Sequence, residues 1–466
     1  MADHGLTQYV AQFISNTRWN DLPPELLQLG KKSILDGMGV ALSGSVSEPG
    51  KIATGYVESL SMTAGPATVI GSSIKTLPRF AAFANGIAIH ADDFDDTQLA
   101  AARDRVYGLL THPTAPVLAA ALAVGEAQRA SGQDLMLAYH IGVEVECKVA
   151  EAIAPRHYRD GFHCTGTCGT LGASASAAKL RGFDPSRTAV TLGIAATQAS
   201  GLRENFGTMT KPFHAGHAAE SGIVAADLCA LGWTAAANIL EAPRGFFNAM
   251  AGGYDSDAIL NKLGNPWTFL NPGISIKPFP SGSLTHPAMT EIQTLIRENN
   301  LVPEDIHRLE VGTNSNMPAA LIHHNPKTEL EAKFSMEFCI SALLVYGKAG
   351  LKEFSAAAVD DPKMREMIRR VHFGVHPEAE SAGYNKMTTI IDIHLKNGRT
   401  ISGRADFVKG SPADPMNYDE VAAKFLDCAG HANWPVEKAN GIIDMLRELE
   451  DIDDLRHSLA HLLSRY

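Results

Sequence analysis

The sequence predicts a mainly α-helical protein with a smaller inserted α/β domain, and three observations support this fold class. Helical segments rich in Ala and Gly fill most of residues 1–265. Near Pro266 the pattern changes to alternating helix and strand signals, and from Asn417 it returns to helices. We therefore expect residues 1–270 and 411–466 to form one large all-helical domain, with residues 271–410 as an α/β lid.

The first domain is predicted from helices that are apolar on most sides. Proline suits the first turn of a helix, so Pro23-Pro24-Glu25 begins a helix that runs to about Leu42. The later segments are rich in small residues, which is typical of closely packed, buried helices. These segments are Phe80–His90, Pro116–Ala130, Leu135–Ala154, Gly169–Leu180, Arg187–Ala199 and Ala215–Leu231.

The inserted domain follows a proline-rich, extended segment, Pro272–Pro280. Asn397-Gly398 joins two alternating runs, which predicts a hairpin and hence a small antiparallel sheet. The other predicted elements are a strand at His307–Gly312 and helices at Pro287–Asn299, Lys333–Tyr346 and Pro362–Val371. Three C-terminal helices are expected to rejoin the first domain, so that the insertion can move as a lid. They are Tyr418–Cys428, Val436–Leu449 and Leu455–Leu463.

Composition narrows the class of function. A chain of 466 residues is too long for one ordinary core. The net charge of −11 argues against nucleic-acid binding and against a basic membrane face. The start of the chain lacks the features of a secretory signal, and no apolar run reaches the length of a membrane helix. We therefore expect a cytoplasmic protein, and its six scattered cysteines are expected to be reduced thiols.

The most informative motif is His90-Ala-Asp-Asp-Phe-Asp-Asp-Thr97, together with Thr111-His112-Pro113. So many titratable groups are costly to bury unless they bind a metal or build a site. Cations follow in Phe162-His163, in the segment 210–214 and in the segment 276–280. Acids, histidines and two lysines beside Gly or Pro fit proton transfer on an anionic substrate.

The sequence pattern alone also allows other interpretations of these motifs. The acidic run also fits a solvated helix end, or a magnesium or calcium site, although no basic diphosphate-binding set accompanies it. Cys164 and Cys168 lack a second pair of metal ligands and are interpreted as structural. His163 precedes a turn into a helix, where backbone N–H groups can bind an anion. Lys211 stands before Pro212 and is expected to be extended, the alternative being a surface lysine.

From end to end the chain resembles the MmgE/PrpD family. The matching segments are Asn85-Gly-x3-His90, Asp93-Phe-Asp-Asp-Thr97, His112-Pro113, Gly142-Val-Glu-Val, Phe162-His163, Gly169-Thr-Leu-Gly172, Thr210-Lys-Pro-Phe-His-Ala-Gly216, Lys277-Pro-Phe-Pro280, His286 and Glu331-Ala-Lys-Phe-Ser335. The resemblance implies a helical domain with an inserted α/β lid, usually as a homodimer. One departure is the insertion Gln98–Leu110, which separates Thr97 from His112 and brings Arg103 and Arg105.

The resemblance also implies a set of site residues. Carried over one by one, the decarboxylase site of the family points to Asp93, Thr97, His112, His163, Lys211 and Lys277. We expect His163, Lys211, Asp93 and Lys277 to be catalytic, and Thr97, His112 and His286 to bind substrate. No nucleotide-binding motif and no nucleophile elbow is present, so neither an organic cofactor nor a metal is expected.

Known activities of the family are those of 2-methylcitrate dehydratase, cis-aconitate decarboxylase and iminodisuccinate epimerase. Overall length and texture favour a cofactor-independent epimerase of a small dicarboxylate resembling iminodisuccinate, working by removal and return of an α-proton. The two lyases are alternatives, and Thr210-Lys-Pro-Phe-His favours the decarboxylase over the dehydratase. A silent binding protein that kept the pocket is a further alternative. In each case the expected partner is a small anionic di- or tricarboxylate.

Overall fold

Helices dominate the computed structural model, which describes residues 5–98, 101–102, 105–106, 111–383 and 387–465. This confirms the prediction of a mainly α protein. The main helices before residue 260 are Leu6–Asn16, Pro24–Ser45, Glu48–Ser59, Pro78–Ala91, Thr114–Gln128, Gly132–Ile153, Arg156–Arg159, Cys164–Leu180, Pro185–Gln198, Thr210–Ala230 and Phe246–Ala251. After residue 410 they are Tyr418–His431, Val436–Arg447, Leu455–Ser458 and Ala460–Leu463.

Two predicted helices begin five residues earlier than expected, at Cys164 and at Thr210. Their first turns are rich in Gly and Thr or contain proline, and we predicted a turn after His163 and an extended conformation at Lys211. Close packing explains why small residues lie inside the first of them. A Cβ atom added at Gly169 would lie 2.7 Å from Pro116 Cγ on the neighbouring helix.

The buried hydrophobic residues form two clusters. The first contains residues between Leu6 and Ile276 together with residues between Met416 and Leu463. The second contains residues between Phe279 and Ile401. The chain returns to the first cluster through the Tyr418–His431 helix, where Lys424 Nζ lies 2.6 Å from Asp36 Oδ1. The lid function of the second cluster stays a prediction.

The second cluster is built on a four-stranded sheet. The strand order is Val371–Val375, Ile306–Thr313, Thr389–Leu395 and Thr400–Ala405. The last two strands form the predicted hairpin at Asn397-Gly398, and Gly398 has a φ of 86° there. Helices in this part of the chain include His286–Asn299, Asn316–Ala320, Glu329–Ala332, Met336–Tyr346, Ala356–Asp360, Pro362–Ile368 and Pro377–Ser381.

The sheet is mixed rather than purely antiparallel. Val371–Val375 pairs in parallel with Ile306–Thr313, whereas we predicted that Val371 ends a helix. That helix ends at Ile368, and the valines that follow suit a strand better than a helix. Among the described residues, no helix is both long and apolar enough to cross a bilayer. All six cysteines are buried free thiols.

Candidate active site

Asp93 lies at the centre of a buried ion-pair cluster. It follows the Pro78–Ala91 helix and adopts a left-handed backbone conformation, with φ 53°, which aspartate tolerates better than most residues. Its Oδ1 atom lies 2.6 Å from Lys211 Nζ and 3.0 Å from Lys277 Nζ. Lys277 also donates to the Asp93 carbonyl oxygen over 2.8 Å. One carboxylate thus receives ammonium groups from two distant parts of the chain.

Two histidines join this cluster through Asp95. His90 Nδ1 lies 2.9 Å from Asp95 Oδ2, and its Nε2 lies 3.0 Å from Lys211 Nζ. A neutral His90 fits both contacts, because its Nδ1–H donates to the carboxylate and its Nε2 accepts from the ammonium. His112 Nδ1 lies 3.4 Å from Asp95 Oδ2 and 3.0 Å from the Asp96 carbonyl oxygen. Asp95 therefore orients two imidazoles at once.

His163 is fixed at the start of the Cys164–Leu180 helix. Its backbone N–H donates to the Gly201 carbonyl oxygen over 3.0 Å. Its Nδ1 lies 3.0 Å from Nδ1 of His214. The Nε2 atom is buried and has no hydrogen-bond partner among the described residues. An unpaired polar atom in a buried place is costly, and a bound ligand would satisfy it.

A cavity of about 460 Å³, including its opening to solvent, connects these groups. Its walls come from both hydrophobic clusters. The described residues that line it are Asp93, His112, Tyr158, His163, Phe206, Lys211, Lys277, Gly282, Ser283, Leu284, Ala320, Leu321 and Phe334. The Phe206 and Phe334 rings stack with their centroids 6.0 Å apart. A polar floor under apolar walls is typical of a small-molecule site.

Burial and the two lysines set the charges in the cavity. Burial alone would raise the pKa of Asp93, but Lys211 and Lys277 outweigh it and hold that pKa well below its usual range. Burial, with help from Lys277, lowers the pKa of Lys211, although Asp93 opposes this change. Burial also lowers the pKa of His90 to about 3 and that of His163 well below its ordinary value. The cavity therefore combines an ionised carboxylate with neutral imidazoles at neutral pH.

Five of the seven predicted site residues line the cavity: Asp93, His112, His163, Lys211 and Lys277. Thr97 and His286 are buried but are not among the lining residues. The Thr97 hydroxyl donates to the Thr111 carbonyl oxygen over 3.1 Å, and His286 Nε2 lies 3.1 Å from the Ser281 carbonyl oxygen. Substrate binding by these two residues stays a prediction.

The expectation that Lys211 is extended is wrong. Lys211 is the second residue of the Thr210–Ala230 helix, and Pro212 follows it within the first turn. Proline is tolerated there because the first N–H groups of a helix have no partner inside the helix. The lysine side chain is still held in place, because its ammonium group contacts Asp93 and His90.

Several residues of the cavity and of the ion-pair cluster beside it were not assigned to the site from the sequence. His90 and Asp95 belong to the acidic motif, and their five-residue separation within it was the only signal available. Tyr158 and Phe206 gave no signal, because single aromatic residues are far more often part of an ordinary core. Phe334 lies in the family segment Glu331-Ala-Lys-Phe-Ser335, but it was not assigned to the site. Most of the insertion Gln98–Leu110 lies outside the described residues, as do Arg103 and the Arg105 side chain.

The arrangement also bears on the prediction that no metal is used. His90, Asp93, Asp95 and His112 each place one ligand atom within 4.8 Å of the others. Two ammonium groups already lie within 3.0 Å of Asp93 Oδ1, and they would repel a cation bound there. That the protein needs no metal stays a prediction, and it is tested by measuring whether activity survives chelation.

Comparison with known proteins decides the family. The MmgE/PrpD N-terminal domain matches residues 8–258, and the MmgE/PrpD C-terminal domain matches residues 279–451. The chain belongs to the MmgE/PrpD family. Curated members similar to it include cis-aconitate decarboxylases from Homo sapiens, Mus musculus and Aspergillus terreus. The human protein is 29% identical over 96% of this chain and 92% of its own length. The mouse protein is 28% identical over 96% of this chain and 91% of its own length. The fungal protein is 26% identical over 97% of this chain and 95% of its own length.

These relatives correct the expected activity of this MmgE/PrpD protein. The expectation of an epimerase is wrong, because full-length relatives are carboxy-lyases. Length and helical texture, on which that expectation depended, are properties of the fold and do not report which bond is broken. The comparisons support an enzyme rather than a silent binding protein.

Proposed function

We propose that this protein is a carboxy-lyase that decarboxylates a small unsaturated tricarboxylate, with cis-aconitate as its substrate. The observation that carries this proposal is the convergence of Lys211 and Lys277 on Asp93, beside the unpaired Nε2 atom of His163. Two ammonium groups suit a substrate with several carboxylates. An imidazole nitrogen without a partner suits the proton that must replace the lost carboxyl group.

The chemistry explains why such a cavity fits. When the carboxylate on the saturated carbon of cis-aconitate leaves as CO2, its electron pair spreads over the adjacent double bond. The resulting allylic carbanion takes a proton and becomes an unsaturated dicarboxylate. Ammonium groups preorganised in a buried cavity stabilise the negative charge that develops in this step. The remaining substrate carboxylates would compete with Asp93 for the same ammonium groups.

Each of the five predicted site residues that line the cavity then has a role in the proposal. Lys211 and Lys277 bind carboxylates and stabilise the carbanion. Asp93 holds the two ammonium groups in place before substrate arrives. His163 donates the proton through Nε2, and His112, which contacts Asp95, binds a substrate carboxylate. Thr97 and His286 are expected to reach the substrate only if the cavity rearranges around it.

The test follows substrate and product by proton NMR in D2O. The purified protein is incubated separately with cis-aconitate, 2-methylcitrate and iminodisuccinate. We expect only cis-aconitate to be consumed, with one solvent deuterium in the dicarboxylate product. Loss of water from 2-methylcitrate without CO2 release would instead assign the protein to the dehydratases. Stable cis-aconitate in the presence of folded protein would refute the proposal.

A further inference from the structure

We propose that His214 is a positioning residue for His163, and that the two imidazoles form a proton relay from the exterior to the cavity. This inference rests on the proposed function, because decarboxylation consumes one proton in each turnover. The relay concerns a residue that the assignment of site residues above did not include. Among the residues that the structure describes, His214 is the only hydrogen-bond partner of the His163 side chain.

The hydrogen bond between the two rings constrains their protons. Nδ1 of His163 and Nδ1 of His214 lie 3.0 Å apart, so one of these atoms must donate and the other must accept. Burial lowers the pKa of both rings, that of His214 to about 4, which leaves both neutral at neutral pH. In a neutral pair, the tautomer of one ring then dictates the tautomer of the other.

The two rings differ in their access to solvent. His163 is 1% exposed, and its Nε2 atom is buried without a partner among the described residues. His214 is 5% exposed and is the fifth residue of the Thr210–Ala230 helix. Its sequence neighbour Phe213 is 41% exposed, so the start of this helix reaches the protein surface. The pair therefore leads from the cavity wall toward the exterior.

Glycines hold the His214 ring in place. A Cβ atom added at Gly201 would lie 3.3 Å from Cγ of His214, and one at Gly166 would lie 3.2 Å from its Cβ. The Gly201 backbone thus packs against the ring and the Gly166 backbone against the His214 Cβ atom. Gly201 has a φ of 144° that other residues rarely adopt. A ring with so little room keeps its Nδ1 directed at His163.

The proton step balances with both rings neutral. Before the reaction, His214 Nδ1–H donates to His163 Nδ1, and His163 carries its proton on Nε2. The Nε2–H bond breaks as that proton bonds to the substrate carbanion. The Nδ1 proton of His214 moves to His163, and water supplies a proton to His214 Nε2. One proton has entered from solvent, the hydroxide left behind is neutralised by buffer, and water resets the tautomers when the cavity opens.

The kinetic test compares three variants. His214→Ala removes the relay, and we expect turnover to fall on the order of tenfold to a hundredfold while KM stays near the wild-type value. Added imidazole should restore turnover, since it can occupy the space and carry the proton. His214→Asn keeps a hydrogen-bonding group near Nδ1 but has no second ring nitrogen, so its turnover should also be low. His217→Asn, on the same helix, is the matched control and should retain normal turnover.

The outcomes separate a relay from a structural role. Normal turnover in His214→Ala or His214→Asn would overturn the inference. Low turnover in His214→Ala that imidazole does not restore would assign His214 a structural role and would also overturn it.

A second measurement does not depend on the substrate. In the free protein labelled with nitrogen-15 histidine, NMR should show His163 in one neutral tautomer, and in a mixture of tautomers in His214→Ala. The His163→Asn spectrum identifies its signals. An unchanged tautomer in His214→Ala would refute the pair even if cis-aconitate is decarboxylated. A changed tautomer with no CO2 release by the wild type would instead refute only the proposed function.

Discussion

At the scale of single residues, the chemistry depends on how Asp93 shares two ammonium groups. Lys211 and Lys277 both contact Oδ1, while Oδ2 is buried without a hydrogen-bond partner among the described residues. Removing one partner of a buried ion pair leaves an uncompensated charge, whereas an arriving carboxylate replaces one anionic partner by another. The cluster is therefore organised to exchange its anion.

The first prediction concerns the proton donor and one ammonium group. His163→Ala and Lys211→Ala should each lower turnover on the order of a hundredfold or more, because a positioned acid or charged group contributes that much. Circular dichroism and steady-state kinetics measure fold and turnover separately. Lys438→Ala, which removes a lysine far from the cavity in sequence and beside Trp434, is the control. Folded variants with near-normal turnover would remove these residues from the mechanism.

The second prediction concerns Asp96, whose carboxylate accepts from the backbone N–H of Thr114 and contacts its hydroxyl. Burial raises the pKa of Asp96 from 3.8 to about 7. Between these values the folded protein keeps a proton that the unfolded chain has lost. The free energy of unfolding therefore falls as pH rises through this window, by about 1.4 kcal/mol per pH unit for one group.

Asp96→Asn removes this contribution. The free energy of unfolding of the variant minus that of the wild type should increase as pH rises from 4 to about 7. The difference should be constant above that pH. Urea unfolding at several pH values measures the difference. The exposed Asp257→Asn is the control, and its pH dependence should follow that of the wild type. Parallel pH dependences for Asp96→Asn and wild type would contradict the assignment.

At the scale of elements, a close helix crossing brings the site residues together. The Pro78–Ala91 helix leads to Asp93, and the Thr210–Ala230 helix carries Lys211. The two helices meet at Gly86 and Gly216, where a Cβ atom added at Gly86 would lie 2.8 Å from Gly216 Cα. Backbone atoms cannot yield by changing rotamer, so a side chain at this crossing would separate the helices.

The third prediction follows from this crossing. Gly86→Ala should lower the free energy of unfolding by about 1–3 kcal/mol, the range for overpacking, and should reduce turnover by displacing Lys211 from Asp93. Gly55→Ala, in the Glu48–Ser59 helix, has open space around the added Cβ atom. It should stabilise the protein by about 0.5–1 kcal/mol, because alanine favours helices over glycine. Equal effects of both substitutions on unfolding would contradict the packing argument.

Elements were easier to predict than their boundaries and pairing. The apolar, small-residue pattern predicted the buried helices, and Asn397-Gly398 predicted the hairpin. Helix starts at Cys164 and Thr210 were missed because glycine, threonine and proline have the same preferences in loops and in first turns. The parallel strand Val371–Val375 was missed because its partner lies far away in the sequence.

At the scale of the whole molecule, the loop after the Pro78–Ala91 helix joins distant parts of the chain. Lys333 Nζ donates to the Asp92 carbonyl oxygen over 2.6 Å, and Lys424 Nζ donates to that of Phe94 over 2.7 Å. With Lys211 and Lys277 on Asp93, four lysines from the helical part, the α/β part and the C-terminal helices hold this loop. The acidic motif predicted a site, and the family resemblance added Lys211 and Lys277 to it. Only the fold shows that Lys333 and Lys424 also bind this loop.

The fourth prediction concerns movement of the two hydrophobic clusters. Both contribute walls to a largely buried cavity, so a tricarboxylate must enter between them or through a widened opening. Small-angle scattering should show a smaller radius of gyration when the unreactive analogue tricarballylate is bound. Lys211→Ala, which should bind the analogue weakly, is the control. An unchanged radius of gyration at saturating analogue would contradict the lid prediction. The homodimer that the family resemblance implies also stays a prediction.

The central claim is that the Asp93 cluster breaks a carbon–carbon bond, and release of CO2 tests it most directly. cis-Aconitate labelled with carbon-13 in all its carboxyl groups is mixed with the protein, and the gas is followed by membrane-inlet mass spectrometry. We predict one labelled CO2 for each substrate consumed by the wild type, and on the order of a hundredfold slower release by Lys211→Ala. Substrate consumed without labelled CO2, or equal release by the variant, would contradict the claim.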